Sequence, residues 1–107
     1  MIIFNITTHV EDEIRSAWLT WMKEEHIPEI LATGRFTEAR FSRVLAEAQG
    51  GTTFSVQLVA PNREQLEQYY AEDQAKHTQA GLDRFGDKIL AIFCSWNGGL
   101  GVARFRR

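Results

Sequence analysis

The residues from Ile14 to Phe36 (IRSAWLTWMKEEHIPEILATGRF) constrain this chain more than any other stretch. Ile14, Ala17, Trp18, Trp21, Met22 and Glu25 fall in one sector of a helical wheel, which predicts a helix with an apolar face and one carboxylate on it. Arg15, Thr20, Lys23 and Glu24 fall largely on the other side and read as solvated. Pro28 lacks a donor and disfavours helical dihedrals at Ile27, so the helix is expected to stop or kink near His26. A short second turn from Pro28 to Thr33 would begin with proline at its favoured position and end at Gly34 as the C′ residue. Glu25 and His26 would then sit where a helix breaks against a core, a placement shared by binding clefts and by ordinary helix ends.

The rest of the chain supplies strands and a second helix. Ile2 to Val10 alternates, with Ile2, Phe4 and Ile6 pointing one way and Ile3, Asn5, Thr7 and His9 the other. A second strand is expected over Arg35–Leu45 and a hairpin turn over Glu47–Gly51. Thr52 to Ala60 alternates again, with Phe54, Val56 and Leu58 on one face and Thr53, Ser55 and Gln57 on the other. Asn62 and Gln65 form a plausible capping pair for a helix from Arg63 to about Asp83. Lys88 to Trp96 reads as the last strand. Residues 97–107 (NGGLGVARFRR) read as a glycine-rich basic tail after a domain of residues 1–96.

Composition sets the outer bounds. A chain of 107 residues is one domain, large enough to bury a core without disulfides or metal. Met1 runs directly into a strand pattern and no apolar run is long enough to span a bilayer, so neither a signal peptide nor a membrane partner is expected. Cys94 is the single cysteine, which excludes an internal disulfide and fits a reducing cytoplasm. The net charge of −2 gives nucleic acid nothing to favour, and the arginines of the tail leave the body mildly acidic.

The element order β-α-β-β-α-β, with short connections and right-handed crossovers, predicts an α+β ferredoxin-like sandwich. Its sheet has four antiparallel strands with both helices on one face. The other face mixes Asn5, Thr7, Ser55 and Gln57 with Ile3, Val59 and Ile92. Such a face often meets another copy of itself, so a homodimer is expected.

The segments WLTWMKEEHIPEILATGRFTEARFSRVL and TTFSVQLVAPNREQLEQYYAEDQAKHTQAGLDRFGDKILAI resemble an uncharacterised bacterial family, domain of unknown function 4286. Trp18, Trp21, Glu25, His26, Pro28, Gly34 and Phe36 carry the resemblance, which covers roughly residues 1–96. That family is similar to the dimeric α/β barrels, whose best-known members are antibiotic-biosynthesis-type monooxygenases. The resemblance implies a homodimer in which two sheets face each other to close a barrel. It implies no assigned activity.

Two constellations carry candidate chemistry. On the second helix Leu66, Tyr70, Asp73, His77 and Ala80 share a sector, placing Asp73 and His77 one turn apart. A carboxylate orienting an imidazole can fix a tautomer for general-base work, and the same pair can be a helix-stabilising contact. Asn5 with His77 is similar to the asparagine and histidine of haem-degrading monooxygenases with this fold. The tryptophan which those enzymes carry on that helix is replaced by nearby Tyr69 and Tyr70. In the second constellation Glu25 and His26 would approach Tyr69 or Tyr70 and the end of the last strand, with Trp18 and Trp21 as walls of a small-molecule pocket. The plain alternative is that these aromatics are core. His9, His26 and His77 have no metal-ligand spacing, no cofactor is implied, and Cys94 reads as a small buried residue.

Two functions follow from these residues. One is a small-molecule pocket between helices and sheet, serving a ligand carrier or a cofactor-independent, monooxygenase-like enzyme. The other is a non-enzymatic dimeric module whose aromatics only pack. A polar-lined cavity beside His26 would favour the first, and a filled core with the histidines at the surface the second.

Overall fold

A computed structural model describes residues 1–45 and 50–97, with Asn97 described by its backbone alone. Most of the expected 47–51 turn and the 98–107 part of the tail lie outside the described residues. The elements are β1 (Ile2–Glu11), α1 (Arg15–Trp21), a π-helical turn (Met22–His26), α2 (Ile27–Ala32), β2 (Glu38–Arg43), β3 (Gly51–Ala60), α3 (Arg63–Glu72), α4 (Gln74–Phe85) and β4 (Ile89–Asn97). They make an α+β fold around one four-stranded sheet of order β2-β3-β1-β4, with every neighbouring pair antiparallel.

The alternation in β1 and β3 does what the sequence pattern requires. Phe4 pairs with Leu58, Ile6 with Val56 and Thr8 with Phe54, so these side chains share the face under the helices. Trp18 packs on Phe41 and Phe54, while Phe4 and Phe36 pack on Tyr69. Phe4, Trp18, Ile30, Val56, Leu58 and Tyr69 are almost wholly buried. β2 is shorter than the expected 35–45. Phe36 turns into the core and Arg35 reaches α3, while Thr37 and Val44 each add a single backbone bond to β3 beyond the strand ends.

The helical layer departs from expectation in two places. First, the chain remains helical through His26. Ile27 keeps φ −62° and ψ −45°, and its N–H donates to the Met22 carbonyl five residues back. This π turn delivers Pro28 to the first turn of α2, where a missing N–H costs little. The helix then ends as its sequence predicts. Gly34 takes φ +78°, open to glycine without a Cβ penalty, and its N–H reaches the Leu31 carbonyl at 3.1 Å.

Second, the expected single helix over 63–83 is two. Asn62 caps α3 by accepting from the Gln65 N–H at 3.0 Å, as expected. At Asp73 the backbone leaves the helical region, with φ −122° and ψ −31°, and α4 restarts at Gln74. Arg35 anchors that break from the side. Its guanidinium donates to Gln65, Gln68 and Glu72, and its Nε lies 3.8 Å from the Asp73 carboxylate.

Candidate functional site

The π turn decides what faces the interior. One extra residue in the turn rotates everything that follows it. Glu25, central to the apolar stripe of an even helix, is carried out to solvent, and His26 takes the inward position. The Glu25 side chain is 56% exposed and accepts from Arg84 at 3.2 Å. His26 is 8% exposed and lies almost parallel against Trp21, with ring centroids 4.2 Å apart. Ala17, also expected inside, is exposed, and Leu19 is partly buried in its place. The expectation of an interior carboxylate at the break is therefore corrected to an interior imidazole.

The break at Asp73 has the matching effect on the other helix. Positions eight apart on a straight helix are separated by about 12 Å along its axis. Here the Tyr69 hydroxyl and His77 Nδ1 are 2.8 Å apart, both inside the protein. Tyr69 thus takes the interior role expected of Tyr70, which is 38% exposed and edges onto Phe4. Asp73 does not orient the His77 imidazole. Its carboxylate faces Arg35, and its backbone carbonyl receives the His77 N–H.

His26 and His77 meet edge to face, with ring centroids 5.7 Å apart, at the side of a cavity of about 80 Å³. Trp18, Trp21, Phe4 and Ile6 form much of the apolar wall, and Tyr69, Thr8, Gln74 and Thr78 add polar groups. The lining residues exposed to solvent are Thr78 and Leu82 on α4 and Phe93 on β4. The cavity therefore opens between those two elements. The volume exceeds what one water needs, and it is about half of an apolar cavity of ~150 Å³ that accepts benzene.

Burial, with some repulsion from His77, pushes the His26 pKa down to about 4. His77 is also lowered, by burial and then by Lys76, against opposing pulls from Asp73 and Glu29. The Tyr69 phenol is raised by burial and by the nearby Asp73 charge, so it remains protonated. At neutral pH these three groups are uncharged. Nδ1 of His26 is buried and has no hydrogen-bond partner among the described residues, an expensive condition for an imidazole.

Asn5 is on the other side of the sheet. Its side chain accepts from Ser55 at 2.6 Å and donates to Thr7 at 2.9 Å, with Cys94 Sγ at 3.8 Å. Asn5 and His77 are therefore separated by the sheet, and the asparagine–histidine pairing expected from the haem-degrading enzymes is not formed. Cys94 is exposed rather than buried, because its strand is an edge and its side chain shares the outer face with Asn5. Among the described residues no group of three His, Cys, Asp or Glu is placed to hold a metal, and no helix is long and apolar enough to cross a membrane.

Residues 1–93 match a family described as a domain of unknown function, DUF4286. The chain belongs to the DUF4286 family. No curated protein matches it. Among solved structures, this DUF4286 chain is similar to an ethyl tert-butyl ether D (EthD) family protein from Bacillus halodurans, with a TM-score of 0.63 and 15% identity. The match covers 88% of this chain and 97% of that one, and at such identity it concerns the fold.

In this DUF4286 domain His26, His77, Tyr69, Trp18 and Trp21 come together, while Glu25, Asp73, Tyr70 and Asn5 stand apart. Sequence reasoning missed Thr8, Gln74 and Thr78. Thr8 was legible as the next inward position after Phe4 and Ile6 on β1. Gln74 and Thr78 are spaced one turn apart with Leu82, but their phase depends on the break at Asp73, which no glycine or proline marks.

Proposed function

We propose that the protein is a homodimeric, ferredoxin-like α/β-barrel protein whose protomers each bind a small molecule in the cavity between helices and sheet. The observation that carries this reading is His26. Its ring lines a largely apolar cavity that opens to solvent and that Tyr69, Thr8, Gln74 and Thr78 furnish with polar groups, the make-up of a small-molecule pocket. The sheet order β2-β3-β1-β4 and the likeness to the EthD family protein support the barrel reading. The outer sheet face supports the dimer, because Leu90 and Ile92 on β4 are 67% and 64% exposed beside the Asn5 row.

Binding is favoured over base catalysis. An imidazole pushed down to about 4 is a weak base at neutral pH, where a general base works best with a pKa near the operating value. The reading as a cofactor-independent, monooxygenase-like enzyme also loses its asparagine, which faces away from the imidazoles.

Titration of the intact protein with uncharged fragments, followed by the NMR signals of the His26 ring and the Trp21 indole, tests the pocket. Saturable shifts of both are expected, and His26→Leu should abolish them while the fold persists. Should no fragment perturb either signal, the protein would be better read as an interaction module whose aromatics only pack.

A further inference from the structure

The cavity offers an ion no counter-charge. Among the described residues that line it there is no aspartate, glutamate, lysine or arginine, and its two imidazoles are held neutral by burial. Arg84, whose guanidinium lies over the Trp21 ring, is already engaged by Glu25. An ion entering would give up its hydration for a wall that returns nothing, which is strongly unfavourable. An uncharged guest meets no such penalty, whatever its polar group.

Size places part of any larger guest outside. A cavity of about 80 Å³ is roughly half of one of ~150 Å³ that holds the six carbons of benzene, so it encloses on the order of three heavy atoms. The remainder must lie at the mouth, between α4 and β4. That mouth presents carbon to water. Leu82 on α4 is 46% exposed and Phe93 on β4 38%, and both line the cavity. Phe93 is held in place by a stack on Phe4, with centroids 5.9 Å apart and planes 12° from parallel. A chain laid across these two side chains would cover apolar surface on both, a gain that grows with each methylene covered.

Resting on the small-molecule reading above, we infer that the cavity takes an uncharged guest with an apolar tail, its head enclosed beside His26 and His77 and its tail lying across Leu82 and Phe93. Leu82 and Phe93 are then the residues that set how long a tail is rewarded.

Hexanamide, its shorter homologue butanamide and its anionic isostere hexanoate separate the possibilities. Each is titrated into the full chain at neutral pH, with the His26 and Trp21 side-chain NMR signals as the readout. Hexanamide should bind saturably, with a dissociation constant about tenfold or more below that of hexanoate. It should also bind about fourfold more tightly than butanamide, the value of two methylenes each about half covered. Leu82→Ser, at an exposed position, should reduce that chain-length gain to about twofold or less and leave butanamide unchanged. If hexanoate binds as tightly as hexanamide, the assignment of an uncharged guest is overturned and the pocket itself stands. If the two amides bind the wild-type chain equally, or Leu82→Ser leaves their ratio as it was, the seat of the tail at the mouth is overturned and the pocket again stands. If none of the three binds the wild-type chain, both the guest and the pocket reading fall. The three titrations of the wild-type chain decide the charge and the tail even if Leu82→Ser does not fold.

Discussion

The indole of Trp21 and the imidazole of His26 lie 4.2 Å apart at their centroids, with planes 22° from parallel. The stack is possible because the two residues are separated by a π turn, and it ties the packing of the helix to the polar edge of the cavity. Phe85 meets the same indole edge-on from α4, and the Arg84 guanidinium lies over it at 5.8 Å.

Removing that ring should be costly. Trp21→Ala is expected to destabilise the protein by roughly 3–5 kcal/mol, and Trp18→Ala by a similar amount, as for other large buried aromatics. Urea unfolding measures both. A loss below about 1 kcal/mol for the pair would place the apolar face of α1 elsewhere.

Acid should weaken the fold through the histidines. The folded-state pKa of His26 is about 4, against an ordinary 6.5, so unfolding takes up a proton between these values. Stability is then full above about pH 6.5 and falls as the pH drops toward 4, by on the order of 3 kcal/mol for this group. His77 acts with the same sign. Denaturation midpoints measured across this window should slope downward with acid, and His26→Phe should flatten the slope. A flat profile in the wild-type chain would mean that His26 is not buried as described.

Glu25→Gln should do little. The carboxylate and its Arg84 partner are both about half exposed, and exposed pairs contribute roughly 0–1 kcal/mol. Unfolding and fragment titration of this variant should both match wild type. A large effect on ligand binding would put Glu25 back at the pocket.

The proposed dimer predicts a light-scattering mass near twice the 12.3 kDa of the chain at micromolar concentration. An interface of obligate size buries more than ~1,500 Å² in total. Ile92→Lys, at the centre of the exposed apolar run on β4, should shift the protein to monomer without unfolding it. A wild-type chain that scatters as a monomer would remove the dimer from the proposal.

The sheet was legible in the sequence because alternation reports burial directly: Phe54, Val56 and Leu58 are inside as their spacing requires. Asn62 and Gly34 were legible because a side-chain cap and a positive φ each demand particular residues. What escaped were the phases of the two helices. Glu25 and His26 are adjacent, as are Tyr69 and Tyr70, so a rotation of one position exchanges which member of each pair is inside. The π turn has no reserved residue type, and the break at Asp73 is held by Arg35, which lies far away in sequence. Local pattern therefore gave the neighbourhood of the cavity and both members of each pair, but not which member faces inward.

The π turn also sets how this protein tolerates changes in chain length. A residue deleted from a surface loop usually shortens the loop and leaves the core alone. A residue deleted between Met22 and His26 would allow an even α-helix to reform without a gap, at no loss of helical hydrogen bonding. Five residues of a π turn advance around the axis about as far as four of an α-helix, so the side chains downstream would keep their phase against the sheet. Deletion of Glu25 is thus a change that this helix can absorb, because the imidazole of His26 would move into the inward position that an even helix assigns to its predecessor.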